Sequence, residues 1–173
     1  MNYYTIQVKT RTEKKFIKRF TAVNKNSGIK LYFPEKEVFI RKEGLTKKQI
    51  AAILPCYIFI EVDSDDSIQN YYWLLRKTEG FVRFLRSNHD ISPISGSDLE
   101  MILYFIKKIG PIAVQSKVIF DENSRIVVLE GPLKGFEGKI IRVDKRKGRA
   151  RIKLDLYEES HWVDLSFEVM ASA

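Results

Sequence analysis

The chain has 173 residues, of which 45% are hydrophobic, and its formal net charge is +8 at pH 7. This composition excludes an intrinsically disordered chain, and the excess of positive charge favours a polyanionic partner. The single cysteine, Cys56, excludes an intramolecular disulfide and suits a reducing compartment. No stretch is apolar over the roughly 18 residues that a membrane helix needs, and the first residues lack the pattern of a signal peptide. We therefore expect a soluble, monomeric protein of the cytoplasm that does not contact a membrane.

The positive charge is concentrated in the first two thirds of the chain. Residues 1–110 hold 19 Lys and Arg against 12 Asp and Glu, whereas residues 111–173 hold 11 against 10. The first segment is therefore expected to be the main electrostatic surface. The densest basic run nevertheless lies later, in residues 144–153, where Asp144 is the one acidic residue.

The first 110 residues alternate short strands with helices. Tyr3–Lys9 is rich in β-branched and aromatic residues and predicts a strand, and the apolar spacing in Thr12–Val23 predicts an amphipathic helix. A capping box of Ser97 and Glu100 predicts the start of a later helix, which Gly110 closes. The other predicted elements are strands at Glu35–Gly44, Tyr57–Asp63 and Phe81–Arg86, a polar hairpin tip with one helical turn between the first two of these, and a helix at Ser67–Gly80. This order predicts an α+β sandwich with a mainly antiparallel sheet over residues 1–110.

The remainder of the chain changes character. Residues 111–123 show no helical period and predict a linker. From Ser124 onward, short strands separated by Gly, Pro or charged turns predict a small β-barrel over residues 124–173. Gly148 stands where a hairpin turn is needed. In residues 149–154, strict alternation then predicts a strand with a solvent-exposed basic face and a buried face. Arg149, Arg151 and Lys153 lie on the exposed face, and Ala150, Ile152 and Leu154 on the buried one.

Two blocks of the sequence have the pattern of known motifs. The stretch EGPLKGFEGKIIRVDKRKGRARIKLDL, residues 130–156, resembles a KOW motif. The stretch ILPCYIFIEVD, residues 53–63, lies between an N-terminal YYTIQVKTRTEKKF and a later GFVRFL, and resembles the N-terminal domain of the NusG/Spt5 family of transcription elongation factors. The resemblance covers nearly the whole chain and implies an NGN-type domain at 1–110 followed by a KOW barrel at 124–173.

Two departures from the family pattern bear on which member the chain resembles. Tyr3-Tyr4 replaces the usual Trp-Tyr, and LYEESHWVDL, residues 156–165, replaces the Phe-Gly-Arg-like turn of the housekeeping factor. Together with the basic run, they imply a specialised paralogue of the LoaP or RfaH kind, which would cause antitermination in long operons aided by an RNA hairpin. Two alternatives stay open: a housekeeping elongation and termination factor, and a ribosome-associated KOW protein that binds RNA.

The strand Tyr57–Asp63 predicts two chemically distinct faces. Its aliphatic even-numbered side chains suit the core, whereas Tyr57 and Phe59 share the opposite face. That face is either covered by a helix or exposed as an apolar patch for a partner. In the family, this patch binds the clamp helices of RNA polymerase. The resemblance therefore implies four polymerase-binding anchors: Tyr3, Leu54, Tyr57 and Phe59.

Basic residues gather around the first predicted helix and again before Gly80. For any single lysine a solvated helix face is the simpler interpretation, but as a set they predict a rim that contacts phosphates. In specialised relatives this side of the domain faces the non-template DNA strand or nascent RNA. The predicted rim consists of Lys9, Arg11, Lys14, Lys15, Arg19, Arg76 and Lys77. The aromatic residues of Gln69–Trp73 either belong to the core or stack on unpaired bases.

The basic hairpin of the predicted barrel is a second candidate surface. The minimal interpretation is a solvated basic face, and RNA contact is a further hypothesis. In NusG relatives the barrel more often binds ribosomal protein S10 or Rho, and the altered residues 156–165 leave both partnerships open. The predicted nucleic-acid-binding residues here are Lys145, Arg146, Lys147, Arg149 and Arg151.

Catalysis has little support in the sequence. His89 and His161 are far apart, and no His and Cys residues have metal-ligand spacing. No glycine-rich phosphate loop is present. We therefore predict a protein that is not an enzyme and that needs no cofactor or metal.

Overall fold

The structure is a computed structural model that describes residues 1–25, 28–63, 67–89 and 91–171. It divides into two compact units, Met1–Phe33 with Leu54–Ile102, and Pro34–Ile53 with Leu103–Ala173. The sequence predicted domains that are contiguous, at 1–110 and 124–173, whereas these units are each built from two separate segments.

The first unit contains a four-stranded antiparallel sheet. Its strands are β1 (Asn2–Val8), β2 (Ile29–Tyr32), β5 (Tyr57–Val62) and β6 (Phe81–Phe84). Their order in the sheet is β2-β5-β1-β6. Three of the four strands were predicted from composition and alternation. Strand β2 was not predicted; it has only four residues and is paired on one side, with β5.

The core of the first unit lies on one face of this sheet. The even-numbered residues of β5 point into it together with Ile6 and Val8 of β1 and Phe16 and Phe20 of the helix α1 (Glu13–Val23). All of these side chains are almost completely buried. The apolar spacing of α1 therefore predicted both the helix and the face that packs on the sheet.

The other helices are shorter than predicted. The segment Ser67–Gly80 forms a 3₁₀ turn at Ile68–Tyr71 followed by α2 (Tyr72–Lys77) rather than one helix. Helix α3 (Gly96–Leu103) begins before Ser97, so the predicted capping box is wrong, and a π-helical turn at Tyr104–Lys108 follows it. No helix in the described part of the chain is both long and apolar enough to cross a membrane.

The second unit contains two sheets. The strands of the first are β3 (Glu35–Lys42), β4 (Leu45–Ala52) and β7 (Ile112–Ala113). They form a three-stranded sheet in the order β4-β3-β7. The strands of the second are β8 (Ser116–Phe120), β9 (Ile126–Glu130), β10 (Ile140–Asp144), β11 (Arg149–Leu156) and β12 (Glu159–Val169). They form a five-stranded sheet in the order β10-β11-β12-β8-β9. The mixed α+β class and the small C-terminal β-structure are confirmed.

Two predictions for the second unit need correction. The helical turn expected in the polar hairpin is instead strand β4, which pairs with β3 along its whole length. The segment 111–123, predicted as a linker, instead contains β7 and β8, and β8 pairs in parallel with the end of β12. Local propensity failed in both places because pairing with a partner strand decides the structure of a short polar or mixed segment.

Candidate functional site

The four predicted polymerase anchors are buried in the structure. Tyr3, Leu54, Tyr57 and Phe59 are 7%, 3%, 9% and 0% exposed, so of the two alternatives that the sequence left open the structure has this face covered. Every residue of β5 is buried, which means that both faces of this strand are covered. Alternation in a central strand cannot distinguish a covered apolar face from an exposed one, which is why the sequence left both open.

The register of the sheet nevertheless brings three of these anchors to one face. In the antiparallel pairing of β1 with β5, Tyr3 lies opposite Glu61, Thr5 opposite Phe59, and Gln7 opposite Tyr57. Residues directly opposite each other point to the same side of a sheet. Tyr3, Tyr57 and Phe59 therefore share the face that is turned away from the core of the first unit.

Glu61 is a buried carboxylate on this face that sequence reasoning missed. Its Oε2 accepts hydrogen bonds from the hydroxyls of Tyr3, at 2.9 Å, and Tyr32, at 3.0 Å, and its Oε1 accepts one from Lys30 Nζ at 3.1 Å. A carboxylate that is only 3% exposed needs such donors, because an unpaired buried charge is costly. The network holds the ring of Tyr3 in place. The sequence signal that could have revealed Glu61 is that it is the one acidic residue in an otherwise apolar strand.

The basic residues predicted around α1 are exposed and lie near those that follow α2. Lys9 donates its backbone N–H to the carbonyl of Gly80 at 2.8 Å, so the end of β1 meets the turn after α2. Arg19 Nη1 lies 2.9 Å from Glu79 Oε2. The structure therefore brings both groups to one side of the first unit, and their exposed members are Lys9, Arg11, Lys14, Lys15, Arg19, Arg76 and Lys77.

The aromatic residues of Gln69–Trp73 divide between core and surface. Tyr71 is buried, Tyr72 stacks on Phe84 with ring centroids 5.6 Å apart, and Trp73 is 62% exposed. The guanidinium of Arg76 lies 5.3 Å from the Tyr72 ring and 5.5 Å from the Trp73 ring. Trp73 with Arg76 therefore extends the basic side of the first unit with an exposed aromatic ring.

The basic hairpin of the second unit contains residues of two kinds. Arg146 and Lys147 are exposed in the turn between β10 and β11, whereas Lys145 Nζ lies 3.9 Å from the centroid of the Phe120 ring. Arg149 donates from Nη2 to the carbonyl of Phe39 at 2.8 Å, and Arg151 forms a two-point ion pair with Asp164. Arg149, Arg151 and Lys153 alternate with buried neighbours, which confirms the predicted two faces of β11.

A cluster of charged side chains around Arg151 was not predicted. Burial lowers the pKa of Lys36 to about 8, an effect that Arg149 and Arg151 reinforce and Asp164 opposes. The hydrogen bonds from Arg151, at 2.6 and 3.0 Å, lower the pKa of Asp164. Sequence reasoning missed Lys36 because it lies in β3, more than 100 positions before its charged neighbours in the chain.

Asp144 is held ionised at the end of β10. The backbone N–H of Lys147 donates to its Oδ1 at 2.9 Å, and this hydrogen bond, with the nearby cations, lowers the pKa of the Asp144 carboxyl. The carboxylate thereby closes the turn that presents Arg146 and Lys147. Asp144 was noted in the sequence only as the acidic exception in a basic run.

Comparison with known proteins places the chain in a family. The model of the family described as transcription termination factor nusG matches residues 1–103, and the KOW motif model matches residues 122–154. A chain with this α+β class and this order of matched segments is a NusG-type transcription factor. The chain belongs to the NusG family, as the resemblance of residues 53–63 and 130–156 predicted.

Two similar curated proteins agree with this assignment. Transcription termination/antitermination protein NusG of Buchnera aphidicola is 29% identical over 135 residues, which cover 78% of this chain and 72% of that protein. The protein of the same name from Thermus thermophilus is 26% identical, over 84% of this chain and 81% of its own. A solved structure of Thermotoga maritima NusG has 15% identity and a TM-score of 0.49 over 95% of this chain and 93% of its own.

Proposed function

We propose that this chain binds the clamp helices of RNA polymerase. It acts in the cytoplasm as a transcription elongation and antitermination factor and catalyses no reaction. The observation that carries the proposal is the NusG match over residues 1–103, followed by the KOW match over 122–154. The similar curated proteins are named for transcription termination and antitermination. A factor of this kind acts by binding the processive state of the polymerase more tightly than the paused state.

The polymerase contact that we propose uses Tyr3, Leu54, Tyr57 and Phe59. The shared sheet face of Tyr3, Tyr57 and Phe59 supports it, because buried aromatic anchors supply much of the affinity of protein interfaces. All four side chains are buried in the described chain. Binding through them therefore requires the side chains that cover them to move.

A matched pair of mild substitutions in β5 tests this contact. Tyr57→Leu removes an aromatic anchor from the proposed face, whereas Ile58→Val removes one methyl group from the opposite, core face. We expect Tyr57→Leu to weaken polymerase binding about tenfold or more, as loss of an interface anchor does. Ile58→Val should cost about 1 kcal/mol of stability and leave the Kd for polymerase within error.

The measurement is biolayer interferometry against purified RNA polymerase, with circular dichroism to confirm that both variants are folded. Equal binding by the two variants would remove the proposed face from the polymerase contact. If both variants instead lose binding only to the extent that they are unfolded, the proposed face is likewise not part of the polymerase contact.

The operon-specific form of the proposal predicts dependence on a nucleic-acid signal. Its support is the pair of exposed basic surfaces, one around α1 and one at the β10–β11 turn. Single-round transcription through an intrinsic terminator, on templates with and without the leader of a long native operon, tests it. Readthrough only with the leader would establish a specialised antiterminator, whereas altered pausing on both templates would establish the general factor. Binding to ribosomes without binding to polymerase would replace both with the ribosomal alternative.

A further inference from the structure

Two adjacent cavities lie in the second unit, where the β10–β11 turn meets strand β3. The smaller has a volume of about 80 Å³ and is lined by Arg142, Asp144, Lys147, Arg149, Arg151 and Asp164. The larger, of about 640 Å³, shares Lys147 and Arg149 with the first and adds Val38–Arg41 and Arg146. The shared residues place the two cavities side by side, as a small polar compartment and a large, partly apolar one.

The small compartment keeps an excess of positive charge. Asp164 is neutralised by its two hydrogen bonds from Arg151, and one oxygen of Asp144 accepts from the backbone N–H of Lys147. The side chains of Arg142 and Lys147 make no hydrogen bond or ion pair with any residue that the structure describes. A compartment of this size with free cations suits one phosphate group, which guanidinium and ammonium groups bind strongly.

Arg149 connects the two compartments. Its Nη2 donates to the carbonyl of Phe39, whereas its buried Nε has no acceptor among the described residues. A buried donor without an acceptor is unfavourable by about 1–3 kcal/mol. A small rotation of the guanidinium toward an anion in the small compartment would satisfy this donor.

The large compartment offers a different chemistry. Val38, Phe39 and Ile40 give it a partly apolar lining, and Ile40 is 38% exposed. Arg41 and Arg146 stand on either side and are exposed. An apolar lining between cations matches a planar base next to its backbone phosphates.

We propose that these two compartments bind a nucleotide unit of single-stranded RNA, with a phosphate in the small compartment and its base against Val38–Ile40. The inference rests on the nucleic-acid recognition proposed above and assigns it to one site. RNA fits better than DNA because Asp144 places a carboxylate, a hydrogen-bond acceptor, among the cations. That acceptor suits a ribose 2′-hydroxyl, which DNA lacks.

The test is fluorescence anisotropy with the full chain and a labelled RNA about 12 nucleotides long, composed only of A and C so that it does not pair. We expect Arg146→Glu and Arg41→Glu each to weaken binding about tenfold or more. Arg125→Glu is the matched control, because Arg125 is an exposed arginine near the β8–β9 turn of the same unit and lines neither compartment. It changes the net charge equally and should leave binding within about twofold.

A DNA strand of the same sequence tests the role of Asp144. We expect the DNA to bind several-fold more weakly than the RNA, and Asp144→Asn to reduce this difference. Equal loss by Arg125→Glu and Arg146→Glu would overturn the site, because only net charge would then matter. Equal binding of RNA and DNA by the unmodified chain would overturn the assignment to RNA, and binding of an acidic peptide without RNA would make the site a protein-docking groove.

The polymerase measurement separates this inference from the proposed function. We expect Arg146→Glu to bind polymerase like the unmodified chain. Absence of RNA binding with intact polymerase binding would overturn the RNA site alone, whereas absence of polymerase binding would overturn the proposed function.

Discussion

Lys36 is the side chain whose protonation depends most clearly on its neighbours. Burial, opposed by Asp164 and reinforced by Arg149 and Arg151, lowers its pKa to about 8. We expect Asp164→Asn to move the Lys36 pKa below about 8, because it removes the one opposing charge. Replacement of Arg151 by Met should move it upward, toward the ordinary value for lysine.

Nuclear magnetic resonance of lysine with labelled ε-carbons measures this titration directly. The Lys36 signal is assigned by its absence in Lys36→Arg. Lys117 serves as the internal reference, because its hydrogen bond to Glu130 raises its pKa and none of the substitutions touches it. A Lys36 pKa that ignores both Asp164 and Arg151 would show that the charged cluster does not form in solution.

Gly131 has no Cβ, and this allows the chain after β9 to lie close to β8 in the five-stranded sheet. It follows β9 with φ of +97°, and a Cβ placed there would lie 2.6 Å from the Cα of Ser116 in β8. Ser116 is itself fixed, because it is fully buried and its Oγ accepts a hydrogen bond from the N–H of Leu133 at 2.9 Å. The backbone of β8 therefore cannot move aside to accommodate a methyl group.

We expect Gly131→Ala to destabilise the second unit more than Gly135→Ala. Gly135 also has positive φ, at +87°, but its Cβ would meet no atom within 4 Å, so its cost is the backbone term of about 1–2 kcal/mol. Gly131→Ala adds an overpacking cost of about 1–3 kcal/mol. The stability of both variants is measured by urea unfolding, followed by the fluorescence of Trp162 in chains that also carry Trp73→Phe. Equal urea midpoints for the two variants would contradict the close approach of Gly131 to Ser116.

The strands show which elements could be predicted from the sequence. In β11, alternation gave the correct faces because Ala150, Ile152 and Leu154 are buried on one side only. In β4, the lysines and glutamine have no buried face to reveal a strand, and only pairing with β3 fixes it. The strand β8 was missed although it forms a hairpin with β9, and its other partner, in β12, is about 50 positions away along the chain.

In the candidate sites too, features set by the local sequence could be predicted, whereas features set by contacts between distant segments could not. The exposed basic residues around α1 were predictable because long charged side chains stay at the surface wherever the fold places them. The burial of Tyr57 and Phe59 was not, because a second covered face leaves no trace in the alternation of β5. The cavities beside Arg149 were not predictable either, because they need β3 and the β10–β11 turn to meet in space.

At the scale of the whole molecule, a net charge of +8 attracts any polyanion, so affinity alone does not identify a site. The salt dependence of RNA binding, compared between variants, does identify the site. The logarithm of the RNA association constant falls with the logarithm of salt concentration by about 0.7 for each phosphate contacted in a single strand. Arg146→Glu should therefore reduce the magnitude of the slope by about 0.7 or more, since it removes at least one such contact.

Arg125→Glu gives the comparison that this prediction needs, since it lowers the net charge by the same amount away from both compartments. Its slope should match that of the unmodified chain, because distant charges are screened beyond about 10 Å at 0.1 M salt. Anisotropy titrations at several salt concentrations give the three slopes. Equal reductions for both variants would mean that RNA is held by the diffuse positive charge of the chain, and a reduction for Arg146→Glu alone would place a phosphate at the β10–β11 turn.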